Sequence, residues 1–395
     1  MEYRVAKKLP PPMENIILQV VAASQKVPGC ISFAMGSPAV DSIPVQVIQE
    51  SVEEVFTENP MALLQYGPMA GDAELAAWIK NRVVQAKGAS PENNSVMILT
   101  GSGKALGLVP RTLCDEGDEV YMDEFTFPNA YISVRNVGGV AIGIPMDEDG
   151  MLPEALEEAA KSGKGKYIYL IPNFQNPSGR TMSLERRKAI YAIASKYNLL
   201  IYEDDPYGDV RFTGEDVPSF KSLDVDNRVL YVGSFSKTLS AGLRVGYIYG
   251  PVGVMKSMVA VRGGDGQDPL FNQKIIMRTL KKLDFEEHLA NVRKIYGAKA
   301  SLMQETLTKY CAPACKVEMP EGGMFAWVTM PEAVDLEQFS QEALSNGIAV
   351  VKSGAFAVDE ANGGHAFRLN FSAPKDADIV KGCEIFGRLT HKYCK

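Results

Sequence analysis

The sequence predicts an α/β protein with a large domain, built on a mostly parallel sheet of seven strands covered by helices, and a smaller α+β domain. The first reason is length, because 395 residues are enough for two compact domains. The second is that short apolar segments alternate with helix-like stretches from about residue 95 to residue 250. These segments are almost continuously apolar, whereas strands with one face in water would alternate apolar and polar residues.

Seven segments of that region are predicted to form the sheet. They are Val96 to Leu99, Glu119 to Met122, Val140 to Ile144, Tyr167 to Ile171, Leu199 to Tyr202, Val229 to Val232 and Val245 to Tyr249. In sheets of this kind ligands bind at the carboxyl ends of the strands, where loops meet helix N-termini. We therefore expect functional residues in the loops that follow these strands.

A long amphipathic helix is predicted between Asp284 and Cys311, because apolar residues recur there mostly at three- and four-residue steps. It leads into a region with a helix near Leu336 to Asn346 and two further segments of interest, Gly322 to Val328 and Phe367 to Ser372. This region is predicted to be the smaller domain.

The predicted division of the chain has three parts. Residues 1–45 form an N-terminal arm and part of the small domain, residues 46–285 form the large α/β domain, and residues 286–395 form the C-terminal small domain. The proline-rich run Pro10 to Pro12 is predicted to be an extended arm that packs on a neighbouring subunit.

The composition is that of an ordinary soluble protein, with 46% apolar and 23% charged residues. Forty-one basic and forty-eight acidic residues give a net charge of −7, and no concentrated basic run indicates nucleic acid or an anionic membrane as a partner. We therefore expect small-molecule partners.

Among the six cysteines, only Cys311 and Cys315 lie close together in the sequence, and no second pair has metal-ligand spacing. We interpret them as reduced thiols of a cytoplasmic protein without a metal site. The N-terminal region has no long apolar segment, so neither a signal peptide nor a membrane anchor is expected.

The most informative residue is Lys237, in residues 233–244, which read GSFSKTLSAGLR. It follows a predicted strand, has hydroxyl residues on both sides, and is followed seven positions later by Arg244. A lysine in this setting is suited to hold a phosphorylated carbonyl compound covalently. The leading cofactor is therefore pyridoxal 5′-phosphate (PLP), which forms Schiff bases with lysine.

The chemistry of PLP requires a protonated ring nitrogen, and residues 202–207, which read YEDDPY, supply a carboxylate for it. Asp204 is suited to ion-pair with that nitrogen and raise its pKa, and Tyr207 to hydrogen-bond the ring hydroxylate. Asp205 competes for the role of Asp204. The simpler alternative is that the acidic cluster caps the turn after the strand.

Two loops after other strands offer further contacts. Residues 172–179 read PNFQNPSG, in which Asn176 provides an amide for the ring oxygen, although such a segment forms a turn without any function. Residues 100–106 read TGSGKAL and join a strand to a helix, where free N–H groups, a hydroxyl and the helix dipole favour an anion. Turns rich in glycine are also common in α/β proteins that bind no anion.

Three residues outside these loops complete the predicted site. Phe127 is placed to stack on the ring, although an aromatic residue there is more often part of the core. Tyr66 is placed to reach a phosphate, and Arg368 to clamp a carboxylate with two parallel hydrogen bonds. The alternative for Arg368 is a solvated or ion-paired side chain.

Taken in order, these segments resemble the class I/II aminotransferases of PLP fold type I, over the range from Gly36 to Arg368. The most specific parts are residues 176–179, Asp204 with Tyr207, and residues 234–244. The branch that the chain is most similar to includes aminoadipate, kynurenine and aromatic aminotransferases.

The resemblance implies a role for each matching residue. Lys237 holds PLP and acts in catalysis with Asp204 and Tyr207, while Gly36, Asn176 and Arg368 bind the substrate. The remaining cofactor contacts implied are Asn176 on the ring oxygen, Phe127 on the ring face, Ser236, and a group around the phosphate that consists of Ser102, Gly103, Lys104, Ser234 and Arg244. Tyr66 reaches the phosphate of the neighbouring subunit, which implies a homodimer with shared sites.

Two positions depart from the pattern of the family, and one residue of that pattern has no identified counterpart. Lys104 stands where many relatives have a neutral side chain, and Phe127 replaces the more usual tyrosine. No second arginine for a side-chain carboxylate is identified. Arg262 is a candidate for a substrate contact, although an arginine in such a segment is more often simply a cation in a flexible loop.

The activity implied is transfer of the amino group of an L-amino acid to a 2-oxo acid, with 2-oxoglutarate as acceptor and ping-pong kinetics. A β-lyase or decarboxylase is the alternative with the same cofactor; a lyase would release ammonia and pyruvate from one substrate. A ligand-sensing regulator on this fold needs a basic DNA-binding module, for which the chain has no room before Gly36.

Overall fold

The structure of the protein is a computed structural model that describes residues 15–359 and 361–394. Its helices are α1 (Ile16–Gln25), α2 (Val45–Glu58), α3 (Pro60–Leu64), α4 (Ala73–Lys87), α5 (Gly103–Leu113), α6 (Pro128–Arg135), α7 (Pro153–Ala160), α8 (Leu184–Lys196), α9 (Val252–Arg262), α10 (Leu270–Lys282), α11 (Phe285–Tyr310), α12 (Leu336–Ser345) and α13 (Asp376–Tyr393). Three short 3₁₀ helices occupy Val40–Ser42, Phe220–Leu223 and Ser353–Phe356.

The strands fall into one large sheet, one four-stranded sheet and two short pairs. They are β1 (Ile31–Ser32), β2 (Asn94–Leu99), β3 (Glu119–Asp123), β4 (Val140–Ile144), β5 (Met146–Asp147), β6 (Gly150–Met151), β7 (Gly165–Leu170), β8 (Leu200–Asp204), β9 (Val229–Ser234), β10 (Gly246–Pro251), β11 (Lys316–Glu318), β12 (Phe325–Thr329), β13 (Ile348–Ala349), β14 (Val351–Lys352) and β15 (Ala366–Asn370).

The large sheet has the strand order β2-β10-β9-β8-β7-β3-β4. Its strands are the seven predicted from the sequence, with ends shifted by a few residues. All neighbouring pairs from β9 to β4 are parallel, while β10 runs antiparallel to both β2 and β9. The predicted α/β fold with a mostly parallel seven-stranded sheet is therefore confirmed.

Both faces of the large sheet are buried, which is why its strands are apolar throughout. Along β9, Leu230 and Val232 belong to one apolar cluster, and Tyr231 between them belongs to another. The first cluster includes residues of α5 and α9, and the second includes residues of α4 and α10. The sheet is thus held between helical layers, and its carboxyl edge is free for the loops.

The long helix predicted near residues 284–311 is α11, and its N-terminus is capped by Asp284, whose side chain accepts hydrogen bonds from the N–H groups of Glu286 and Glu287. It packs against α13 and beside the antiparallel sheet β11-β12-β15-β14. The parallel pairing of β1 with β13 joins the N-terminal segment to the C-terminal region. This pairing supports the predicted domain division, which stays a prediction.

The predicted arm at Pro10 to Pro12 lies outside the described residues. None of the helices in residues 15–359 and 361–394 is both long and apolar enough to cross a membrane.

Candidate active site

Lys237 lies three residues beyond the end of β9, at the carboxyl edge of the large sheet. Its Nζ atom donates a hydrogen bond of 2.5 Å to the carbonyl oxygen of Gly36. Burial, together with the positive charges of Arg244 and Arg368, lowers the pKa of this amine to about 8. An amine with such a pKa is partly uncharged near neutral pH, as a nucleophile or proton acceptor must be.

Asp204 is the last residue of β8 and is 5% exposed. Its Oδ2 atom accepts a hydrogen bond of 2.7 Å from the hydroxyl group of Tyr169 on β7. Its Oδ1 atom is buried and has no hydrogen-bond partner among the described residues. Burial raises the pKa of Asp204 to about 7. A cationic group against Oδ1 would satisfy this carboxylate and keep it ionised.

Asp205 makes a different set of contacts. Its carboxylate accepts hydrogen bonds from the Asn173 amide at 2.9 Å and from the Tyr231 hydroxyl at 2.7 Å. Lys87 lies 3.7 Å from it as well. Both carboxylate oxygens of Asp205 therefore have hydrogen-bond partners within the protein, whereas Oδ1 of Asp204 has none among the described residues.

Arg368 is on β15, in the four-stranded sheet, and is only 2% exposed. Its Nη1 atom donates a hydrogen bond of 2.8 Å to Oδ1 of Asn176, and Nη2 donates to the carbonyl oxygen of Ala34. The guanidinium lies over the rings of Phe325 and Phe356, at 4.1 and 4.6 Å from their centroids. The predicted alternative of a solvated or ion-paired side chain does not describe this residue.

Burial lowers the pKa of Arg368 to about 9, so the side chain remains a cation at neutral pH. Tyr207 is buried nearby and packs edge-to-face against Phe325, with ring centroids 6.1 Å apart. Burial raises the pKa of the Tyr207 hydroxyl, and the charge of Arg368 opposes that rise. Tyr207 is therefore a neutral hydrogen-bonding group at neutral pH.

The turn between β2 and α5 is tightly enclosed. Gly101 has φ of +76°, and a side chain there would overlap the guanidinium of Arg244. Arg244 itself has φ of +51°, and its Nη1 atom lies 3.4 Å from the hydroxyl oxygen of Ser236. The N–H of Ser236 in turn donates to Oγ of Ser234 at 3.1 Å.

Ser102 and Gly103 begin α5 in this turn, so their free N–H groups and the Arg244 guanidinium face the same region. A cation, hydroxyl groups and a helix N-terminus in one place are suited to bind a phosphate group.

Two predicted cofactor contacts, Tyr66 and Phe127, differ in their exposure. Tyr66 is 95% exposed, which places it outside the site of its own chain. Phe127 caps the start of α6 and is partly buried against the main apolar cluster.

The side chains of two basic residues turn away from the site. Lys104 forms an ion pair of 3.1 Å with Asp268. Arg262 is the last residue of α9, is 1% exposed and also pairs with Asp268. The alternative of a cation in a flexible loop is therefore wrong for Arg262, because burial forces this charge onto a carboxylate partner.

The sequence did not indicate several residues that hold the site together. Tyr169 fixes Asp204, and Phe325 and Phe356 cover Arg368. Each acts through a contact between separate elements, so spacing along the chain carries no signal for it. The apolar character of these positions is indistinguishable from ordinary core.

The assembled groups fit pyridoxal phosphate. The orphaned Oδ1 of Asp204 suits a ring N–H, the buried amine of Lys237 suits an aldehyde, and the turn beside Arg244 suits a phosphate. These three features are supplied by separate loops at one edge of the sheet.

The sequence of the chain is similar to those of known aminotransferases. The model of the family "Aminotransferase class I and II" matches residues 28–386. The aromatic-amino-acid aminotransferase 1 of Thermococcus litoralis is 34% identical over 364 residues, which are 89% of this chain and 86% of that protein.

Two solved structures are also similar. The kynurenine aminotransferase of Pyrococcus horikoshii, in complex with PMP, superposes with a TM-score of 0.93 at 31% identity and covers 99% of this chain and 98% of its own. The α-aminoadipate aminotransferase of Thermus thermophilus, complexed with N-(5′-phosphopyridoxyl)-L-leucine, gives a TM-score of 0.85 at 32% identity over 95% of each chain. Family match and fold agree with the chemistry of the site: the chain belongs to the class I and II aminotransferases and is a PLP-dependent enzyme of fold type I.

Proposed function

We propose that Lys237 attaches the cofactor and moves the proton in the transfer of an amino group from an L-amino acid to a 2-oxo acid, which we take to be 2-oxoglutarate. The observation that carries this assignment is the buried amine of Lys237, which donates a hydrogen bond to the carbonyl oxygen of Gly36 and has its pKa lowered by burial and by the charges of two guanidinium groups, Arg244 and Arg368. One guanidinium suits the phosphate of the cofactor and the other suits the carboxylate of the substrate.

When bound, PLP supplies an aldehyde and a cationic ring that accepts the electron pair left as the α-C–H bond breaks. Arg368, with Asn176 beside it, holds the α-carboxylate of the amino acid. The amino group of the substrate would replace Lys237 on the cofactor aldehyde and so free Nζ. Lys237 Nζ would then take the proton from Cα and, as an ammonium group, deliver it to C4′ of the cofactor. Asp204 Oδ1 holds the proton of the ring nitrogen.

Two partial reactions at one site imply ping-pong kinetics, because the 2-oxo product leaves before the second 2-oxo acid enters.

The aromatic side chains around Arg368 indicate the class of amino donor. Phe325 and Phe356 cover Arg368. Phe125 packs against the apolar cluster that contains Phe356, and its ring centroid lies 6.3 Å from that of Trp327. These rings favour a donor with a large apolar or aromatic side chain, as the names of two relatives also suggest.

The enzyme is further proposed to be a homodimer in the cytoplasm. Large apolar side chains are exposed along one stretch of the chain: Met35, Val40, Val45, Phe56, Met61, Leu64, Tyr66 and Met69. Such a concentration of exposed apolar surface favours a subunit interface. The cysteines are free thiols, as expected for a reducing compartment.

Replacement of Lys237 by alanine tests the central assignment, with Lys188→Ala as control because Lys188 is an exposed residue of α8. The expected result is loss of transamination and of borohydride-trapped cofactor in Lys237→Ala alone, with circular dichroism unchanged. Full activity of a folded Lys237→Ala variant would overturn the assignment.

A half-reaction screen identifies the donor. The holoenzyme is mixed with single amino acids, and the change in cofactor absorbance is followed. Aromatic donors should react at lower concentration than aspartate or aminoadipate; the reverse order would contradict the proposed donor class.

A further inference from the structure

The turn proposed to bind the cofactor phosphate is attached to one buried carboxylate, that of Asp268, which is 5% exposed. Its Oδ1 atom accepts hydrogen bonds from the N–H of Thr100 at 3.0 Å and from the Thr100 hydroxyl. The same oxygen accepts from Nζ of Lys104 at 3.1 Å. Asp268 thus contacts both ends of the five-residue turn that contains Ser102 and Gly103.

Asp268 is itself held by a buried charge. Its Oδ2 atom accepts a hydrogen bond from Nη2 of Arg262, which is 1% exposed. Within residues 15–359 and 361–394, the Nε and Nη1 atoms of Arg262 have no hydrogen-bond partner. Asp268 therefore provides the charge compensation for this arginine, and a buried ion pair of this kind has a fixed geometry.

Gln273 fixes the backbone of the segment that contains Asp268. The side-chain amide of Gln273, on α10, donates to the carbonyl oxygens of Asp268 at 3.4 Å and Pro269 at 3.3 Å. The Oε1 atom of Gln273 accepts from the N–H of Asp72 at 2.7 Å. Backbone and side chain of Asp268 are thus both fixed.

We propose that Asp268 is a positioning residue for cofactor binding: it holds the turn of residues 100–104 in the shape that presents its N–H groups to the phosphate. The inference rests on the proposed role of that turn. In this proposal Lys104 and Arg262 have the same role, because the side chains of both residues pair with Asp268 and thereby help to position it.

The test compares apoenzyme affinity for PLP and for pyridoxal, which has the same aldehyde and ring but no phosphate. Asp268→Asn should raise the Kd for PLP roughly 10- to 100-fold, as expected when charged hydrogen bonds are lost. The Kd for pyridoxal should change less than about twofold, because pyridoxal has no phosphate for the turn to bind. Equal losses for both aldehydes, or an unchanged Kd for PLP, would overturn the inference.

Two further variants make the result decisive. Thr100→Val removes one hydrogen bond between the turn and Asp268 without leaving Arg262 unpaired. It can therefore replace Asp268→Asn in the test if Asp268→Asn does not fold. The Kd of Thr100→Val should rise for PLP and stay unchanged for pyridoxal. Asp265→Asn is the matched control, because Asp265 lies in the same loop and pairs with Arg111 instead. Its affinity for PLP should equal that of the wild type.

Arg244→Gln separates this inference from the proposed function, because the Arg244 guanidinium lies against the turn at Gly101. If Arg244→Gln leaves the affinity for PLP unchanged, no phosphate binds beside the turn and the proposed site is wrong. If Arg244→Gln weakens PLP binding and Asp268→Asn does not, the phosphate site is correct and only the role of Asp268 is refuted.

Discussion

The side-chain oxygen of Asn176 accepts a 2.8 Å hydrogen bond from Arg368, which lies 192 residues further along the chain. Asn176 belongs to the loop after β7 of the large sheet, and Arg368 to the four-stranded sheet. This bond crosses between the two sheets at the site, and both partners are buried. The proposed carboxylate site at Arg368 is therefore attached to both parts of the protein.

Replacement of Arg368 by lysine should lower kcat/KM for amino acids roughly 100-fold, because an ammonium group cannot form two parallel hydrogen bonds. Most of the effect should appear in KM, measured by steady-state kinetics. The control is Arg388→Lys, since Arg388 is exposed on α13 and pairs with Glu384. Equal kinetics of Arg368→Lys and wild type would contradict the assigned carboxylate contact.

Asparagine substitutions at positions 204 and 205 should affect different properties, with kcat lowered by the first and the free energy of unfolding lowered by the second. Asp204→Asn should lower kcat roughly 100- to 1000-fold with PLP still bound, because the ring nitrogen loses its ion pair. Asp205→Asn should instead lower the free energy of unfolding by about 1–3 kcal/mol, because it disturbs the bonds to Asn173 and Tyr231. Stopped-flow half-reactions and urea unfolding measure the two effects; interchanged results would assign the ring nitrogen to Asp205.

Uptake of PLP by the apoenzyme should depend on pH through Lys237. Its pKa is lowered to about 8, so the uncharged, nucleophilic amine increases about tenfold per pH unit below pH 8 and levels off above it. The measurement is the rate of absorbance change between pH 6 and pH 10. A rate that continues to rise up to the ordinary lysine pKa of about 10.4 would show that the amine is not perturbed.

Tyr66→Phe should raise the Kd for PLP roughly tenfold and leave the melting temperature of the subunit unchanged, because Tyr66 is 95% exposed in its own chain. Equilibrium titration of the apoenzyme measures the first effect.

Mixed dimers show whether this contact crosses between subunits. A dimer of one Tyr66→Phe and one Lys237→Ala subunit should have one site with both changes and one with neither, so half of the sites should bind PLP with wild-type affinity. If Tyr66 acts within its own chain, no site of the mixed dimer will have that affinity.

Much of the fold was predictable because its determinants are local. The seven strands of the large sheet are nearly continuous apolar runs, and α11 has a regular helical repeat with Asp284 as its cap. The antiparallel direction of β10 was not predicted, because an apolar run buried on both faces has the same composition in either direction.

The sequence by itself determined the residue types of the site: an amine at Lys237, a carboxylate at Asp204 and a guanidinium at Arg368, each in a segment with a recognisable pattern. Only the tertiary structure decided which acid has a free oxygen, because Tyr169, Asn173 and Tyr231 reach Asp204 and Asp205 from other strands and loops. It also decided that Arg262 and Lys104 share Asp268. Hydrogen bonds and burial depend on distances between segments far apart in the chain, and no local pattern encodes those distances.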